Sequence, residues 1–287
     1  MQEKYIFKYG LNSRAVFRIL NGLFLVFVMV IMIVPILKIF SDSLDSVGNY
    51  GLNIIPTNPS FSAYRTIFTT KTLYTPFFIS IYTTVVGTII GLALTTLGAY
   101  VLIQKDMPGK RLFVWMIFFT MIFDGGLVPT YLLIRDIKLM NTLWAVILPL
   151  AINVYNLVLM KSFFEQIPES LFEAAEIDGC APMSIFLRIV LPLSKPALAS
   201  IGLFFAVEYW NHFFNFVMYI TDTTKFNFQI KLRELILDNT SIQTTEGIYS
   251  KTIQNAAVII SMLPPMIVYP FCQRYFVQGV TIGAVKE

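Results

Sequence analysis

Charge is scarce in this chain. Lys, Arg, Asp and Glu make up 13% of its 287 residues, against about 25% in an ordinary soluble domain. That is too little to cover the surface of a water-soluble fold, and the charges present cluster between long apolar runs. Histidine occurs once, at His212, which excludes zinc sites of the HExxH kind because those take two histidines. Neither a GxxxxGK[ST] phosphate loop nor a GxSxG elbow occurs, so any ATP chemistry must come from another subunit. Cys180 and Cys272 are the two cysteines; far apart and both on the side assigned below to the cytoplasm, they give no disulfide framework. The net charge of +4 comes without a basic patch interleaved with aromatics, so nothing favours nucleic acid.

What is present is apolar surface. Hydrophobic residues are 56% and aromatics 15% of the chain, with a mean hydropathy of +0.70. A helix needs about 20 mostly apolar residues to cross the hydrocarbon core. Six stretches qualify: 19–39, 77–103, 112–134, 142–163, 197–220 and 252–275. The expected fold is an all-α integral membrane protein with six transmembrane helices. The first stretch is too long for the roughly 7–15-residue core of a signal peptide, and no small-residue cleavage site follows it; it is expected to stay as a span.

Lys4, Lys8, Arg14 and Arg18 precede the first span, and Lys105, Lys110 and Arg111 crowd the short loop after the second. The positive-inside rule places both in the cytoplasm, although Arg65, Lys71, Arg135, Lys138, Lys225, Lys231 and Arg233 fall on the outer side. Both termini are then expected inside. The resulting organisation is a tail over 1–18, a first helix with its outer loop over 19–75, the main transmembrane domain over 76–275, and a tail over 276–287.

Several residues inside the spans point to close packing or breaks. Gly87 and Gly91 form a GxxxG spacing that lets another helix approach the second span. Gly125, Gly126 and Pro129 are expected to interrupt the third span, and Pro264 and Pro265 the sixth. Broken helices at membrane depth suit a transport pathway where the freed backbone faces protein or water, but kinks also occur in polytopic proteins generally.

The longest cytoplasmic connection, FEQIPESLFEAAEIDGCAPMSIFLRIVLPL over 164–193, is the most informative segment. Pro168 sits early in a helix and Ser170 is placed to cap the turn that follows. Leu171, Ala174, Ala175 and Asp178 follow helical spacing, with Glu173 and Glu176 on the wetter side. Gly179 permits a left-handed backbone that stops this helix. Ser184 begins a second helical stretch with Ile185, Ile189 and Leu193 along one face, and Leu191-Pro192 hands over to the fifth span. Two short helices joined at a glycine are expected to lie along the cytoplasmic face.

The spacing of Glu173, Ala174, Ala175, Gly179, Ile189, Leu191 and Pro192 resembles the EAA loop of ATP-binding-cassette importer permeases, between the matching pair of spans. EYWNHF over 208–213 looks like the Trp-Asn segment of carbohydrate-uptake permeases. QRYFVQGVTIGAVKE over 273–287 is similar to the tail of the maltose-type smaller permease subunit, and DGGLVPTYLL over 124–133 resembles a subgroup for complex oligosaccharides.

The resemblance implies a type I importer: a second permease subunit, an ATPase dimer that binds ATP and Mg, and an extracytoplasmic solute-binding protein. The chain itself would be a non-enzymatic permease without a bound cofactor or metal, translocating a carbohydrate across a bacterial cell membrane. Glu173, Ala174, Ala175, Asp178, Gly179, Ile189, Leu191 and Pro192 would couple it to the ATPase. The outer loop 221–251, with an amphipathic stretch around Ile230, Leu232, Leu235 and Ile236, would reach the binding protein; a solvated surface helix is the alternative. Candidates for the pathway are Glu208, Asn211, Asp124 and Trp210. For Glu208, a gate residue and a structurally paired carboxylate both stay open, as do pathway lining and helix capping for Asp124. Trp115, Trp144 and Trp210 suit interfacial or packing roles more than sugar platforms. A secondary transporter also explains six spans, but leaves the 164–193 motif without a reason. A membrane enzyme would need a nucleophile–base pair that a single histidine and isolated carboxylates do not offer.

Overall fold

The computed structural model of the protein describes residues 13–46, 51, 54–237 and 250–284, with backbone alone at 13–14, 250, 272 and 274–284. Lys4 and Lys8, the side chains of Arg14 and Cys272, and the side chains of the tail motif after 273 lie outside the described residues. Among the described residues the regular structure is helical, apart from an isolated bridge between Asp45 and Pro59.

The chain divides into two units, Met1–Ile67 with Asn239–Ile259, and Phe68–Asp238 with Ile260–Glu287. In the first, α1 (Ser13–Ser43) is the most apolar span. Phe17, Phe24, Phe27 and Met32 are each more than half exposed, as a lipid-facing helix requires. Beyond α1, the buried Asp45 carboxylate accepts from Thr57 N–H at 2.9 Å and Thr57 Oγ1 at 2.6 Å. Its carbonyl accepts from Thr252 Oγ1 at 2.8 Å, at the start of α14 (Ser250–Ala284). A buried acid is tolerable only when it is hydrogen-bonded, and Thr57 supplies those bonds within this unit. In α2 (Ser62–Thr69), the Tyr64 hydroxyl lies 2.6 Å from Ser43 Oγ, and burial pushes its pKa up.

The second unit is built on α3 (Lys71–Ile103), a 33-residue helix against which α11 (Lys195–Asn211) and α7 (Val154–Phe164) pack. Gly87 and Gly91 take aromatic rings rather than a bare helix backbone. A Cβ at Gly87 would lie 2.4 Å from the Tyr209 ring, and one at Gly91 would lie 2.9 Å from Phe205. Glycine is required there because each ring rests on the backbone itself.

Six membrane passages follow if each bent helix pair counts once. The third is α4 (Lys110–Ile122) and α5 (Leu127–Asp136), bent by 112° at the Gly125-Gly126 break. The thirteen residues of α4 reach about 20 Å at 1.5 Å per residue, so 112–134 is not the straight helix its hydropathy suggests. The fourth is α6 (Trp144–Leu150) and α7, bent by 47°. That break was not anticipated; Pro149 supplies it by removing an amide from the ladder. The fifth ends at Asn211 and resumes as α12 (Phe214–Tyr219), where a continuous helix over 197–220 was expected.

Conversely, Pro264 and Pro265 do not interrupt the sixth span. The helix runs through them and Pro270 to Ala284, because a neighbouring side chain takes up a carbonyl they release, as described below.

Candidate functional site

The segment between the fourth and fifth spans folds as α8 (Glu169–Ile177), α9 (Pro182–Ile185), a π-helical turn Phe186–Val190, and α10 (Leu191–Leu193). Residues Pro182–Leu193 lie at 82° to α11, so this piece crosses the span rather than extending it. Pro168, not Ser170, is the residue that flanks the start of α8, and no side chain caps it. Ser170 stays inside the helix because the fixed φ of Pro168 already sets its first turn. The second helix likewise starts at Pro182 rather than Ser184. The extra residue of the π turn shifts the face expected for Ile185, Ile189 and Leu193. Ile185 is buried, while Leu193 is more than half exposed.

Gly179 sits at φ +75°. Its N–H donates to Glu176 O at 3.0 Å, and Cys180 N–H donates to Ala175 O at 2.9 Å. This pair of bonds with a left-handed glycine is the Schellman arrangement; the buried Ala175 and the partly buried Cys180 complete it within one apolar cluster. That cluster also holds Ile185, Phe186, Met160 of α7 and Phe205 of α11. Burial of each such Ile or Phe is worth about 1.5–3 kcal/mol, so α8 and α9 are held against the spans. Tyr100 near the end of α3 donates its hydroxyl to Pro182 O at 2.9 Å and meets the Phe186 ring at a tilt of 39°, with 4.9 Å between ring centres.

The outward side of the segment is polar. Glu173, Ala174, Asp178 and Gly179 are exposed, and Ile177 is 86% exposed. Ile103, Lys105, Asp106, Glu165, Glu169, Glu173 and Glu176 line a cleft of about 280 Å³ between the loop after α3 and α8. Lys105 forms an ion pair with Glu169, and Lys161 with Glu165 at 2.5 Å. Among the described residues, no ion pair involves Glu173. Lys110 donates to the carbonyls of Ile103 at 3.2 Å and Gln104 at 3.1 Å, closing the C-terminal end of α3 with a cation as helix polarity favours.

The four pathway candidates do not form one cluster. Asp124 is exposed and accepts from Gly126 N–H at 3.0 Å, bracing the break before α5. The Glu208 side chain is half-buried near the end of α11, beside Asn153 and His212. Asn153 also caps α7, accepting from Asn156 N–H at 3.1 Å, so Glu208 faces the break in the fourth span. Asn211 donates to Val207 O within its own helix at 3.0 Å. Trp210 is 3% exposed. Its indole N–H donates to Ser261 O at 3.0 Å, and its ring meets the edge of Phe77 at 5.9 Å.

Residues that sequence reasoning passed over hold together the loops before α6 and after α12. Asn141, at φ +62°, accepts through Oδ1 from Thr221 N–H at 3.2 Å and Asp222 N–H at 3.0 Å. Lys225 donates to its carbonyl at 2.9 Å. Asp222 accepts from the Thr224 hydroxyl and N–H, which hold its carboxyl below the usual range. Asn227 precedes α13 (Phe228–Leu237) and is buried. An Asn ahead of a helical run was the available signal, since that is a preferred capping residue.

Residues 112–282 match the family described as binding-protein-dependent transport system inner membrane component. The chain is 41% identical over 240 residues to the polygalacturonan/rhamnogalacturonan transport system permease protein YtcP of Bacillus subtilis, covering 81% of this chain and 84% of that one. It is 41% identical over 243 residues to protein LplC of the same organism, covering 81% of each. A solved structure of a bacterial ABC transporter involved in import of the acidic polysaccharide alginate superposes with a TM-score of 0.86 at 32% identity, covering 93% of this chain and 99% of that one. With more than half its length matched and its helix order shared, the chain belongs to the family of binding-protein-dependent transport system inner membrane components.

Proposed function

We propose that this chain is a permease subunit of an ATP-binding-cassette importer and that its cargo is an oligosaccharide cut from an acidic polysaccharide. The observation that carries the first part is the α8–α9 segment. It presents exposed carboxylates outward while its inner face shares one apolar cluster with three spans. A surface of this kind couples two machines: the outer side docks and the inner side transmits, because packed cores move as rigid bodies. Glu173, Ala174, Asp178 and Gly179 form the docking edge, with Ala175, Ile189, Leu191 and Pro192 joining it to the fifth span. ATP and Mg act in a separate ATPase dimer on the cytoplasmic side, where both termini of this chain also lie. A second permease completes the channel, and an extracytoplasmic protein delivers the cargo.

The cargo class is supported by the relatives. One carries polygalacturonan and rhamnogalacturonan in its name, and the solved structure belongs to an importer of acidic alginate. These are polymers of acidic sugars, and Glu208 with Asn153 and His212 offers hydrogen-bonding groups at a helix break.

The test is ATP hydrolysis by the complex reconstituted in vesicles with its partner permease, ATPase and a binding protein loaded with short oligogalacturonides. Stimulation in the native complex, lost in Glu173→Lys with the subunits still associated, is the expected result. Uptake driven by an ion gradient with no associated ATPase overturns the proposal. Stimulation by neutral oligosaccharides only overturns the cargo class.

A further inference from the structure

The fifth span breaks between α11 and α12, and the broken end is not closed by the neighbouring spans. Helix C-terminal carbonyls have no partner within the helix, and at membrane depth each must find one. Here they are served by the outer segment around α13. Gln229 donates through Nε2 to Trp210 O at 3.2 Å, and Asn227 donates through Nδ2 to His212 O at 2.6 Å. The Arg233 guanidinium lies 4.9 Å over the Phe213 ring, which is the residue inside the break. Asn227 has a second role at its other end, where Oδ1 accepts from Ile230 N–H at 3.1 Å and caps α13. The same end of α13 is pinned to α3, with Phe228 N–H donating to Ser80 Oγ at 2.9 Å.

We propose that Asn227 and Gln229 are positioning residues that tie the outer helix α13 to the broken fifth span, so that displacement of α13 by a docked binding protein moves residues 208–213. This rests on the importer reading above. The physical reason is that α13 cannot shift alone without stripping partly buried carbonyls of their donors. Ile236 and Leu237 at its far end are 49% and 67% exposed, giving a protein partner an apolar grip. Ser80 is the pivot, and the two amide bonds with the Arg233–Phe213 contact are the arm. Glu208 lies within the last turn before the break, so the displacement reaches that carboxylate.

The chemistry of Asn227 allows its two roles to be separated. Asn227→Ser keeps an oxygen to cap α13 and replaces the amide with a shorter hydroxyl that does not reach His212 O. Gln229→Ala removes the other donor and leaves the cap untouched. The measurement is ATP hydrolysis of the reconstituted complex, without binding protein and against rising concentrations of binding protein loaded with oligogalacturonides. In both variants the basal rate and the half-maximal concentration should stay at the native values, while the maximal stimulation falls about tenfold, within the usual range of coupling between sites. A rise in half-maximal concentration with native maximal stimulation would make these residues part of docking alone and overturn the proposal. So would native stimulation throughout, or a parallel loss of basal and stimulated rates in both variants. If the native complex itself shows no response to loaded binding protein, it is the importer reading that fails.

Discussion

The indole N–H of Trp210 donates to the carbonyl of Ser261, an oxygen whose helical partner would be the nitrogen of Pro265. Proline has no N–H, so this carbonyl would be orphaned inside α14. Tyr209, the preceding residue, does the same in another span. Its hydroxyl donates at 2.8 Å to Ile147 O, while the Ala151 amide that would serve that oxygen turns to Leu148. Adjacent aromatic residues on α11 thus repair the helix irregularities of the fourth and sixth spans. The segment over 208–213, read from the sequence as similar to the Trp-Asn segment of carbohydrate-uptake permeases, thus joins the fifth span to the fourth and the sixth, in line with the packing role expected for Trp210.

Trp210→Phe should keep most of the ring packing and leave Ser261 O without the indole donor, lowering stability by about 1–3 kcal/mol. Pro265→Ala restores an amide to the same oxygen. In a thermal-unfolding double-mutant cycle in detergent, the cost of Trp210→Phe should shrink when Pro265→Ala is present.

Gly87→Ala should be costly, because its methyl would meet the Tyr209 ring at 2.4 Å, and that ring is held by the bond to Ile147. Overpacking of this kind costs about 1–3 kcal/mol. Gly91→Ala, with its nearest contact at 2.9 Å, should be the milder substitution in the same unfolding measurement.

Gly179→Ala places a Cβ on a residue at φ +75°, a conformation that costs an L residue about 1–2 kcal/mol. Space is not the obstacle, since no atom lies within 4 Å of that methyl. The expected outcome is a complex that assembles yet hydrolyses ATP with weakened response to loaded binding protein. A larger residue such as Leu should behave like Ala, because the strain lies in the backbone.

Asp222 gives a pH dependence with a defined sign. Its carboxyl is held below the ordinary value of 3.8 by bonds from Thr224, so its contribution to loop stability is full above that value and is lost as pH falls through the lowered one. The protection factors of residues 221–225, that is, their exchange relative to an unstructured chain at the same pH, should therefore fall on acidification below about pH 4. Asp222→Asn should flatten that acid dependence.

The amount of this protein legible in its sequence follows the physics of each feature. Hydropathy located six passages because the bilayer demands an apolar run of fixed length wherever a chain crosses it. The turn at Gly179 was legible because a left-handed residue is a local backbone requirement that glycine alone meets without strain. The helix breaks were legible only in part. Gly125 and Gly126 mark a real break, whereas Pro264 and Pro265 sit in a continuous helix, and no motif foretold the ends of α11 and α6. A break depends on whether some distant group can bond the released carbonyl, which in α14 is Trp210, 51 positions earlier. The roles of Asn141, Asn153 and Asn227 were hidden for the same reason, since each amide serves backbone groups that only folding brings near. The sequence by itself determined the solvent, the number of crossings and the helix that stops at Gly179, all of which rest on composition or local spacing. The tertiary structure alone decided where helices bend and which polar groups close them, because satisfying a buried carbonyl is a non-local condition.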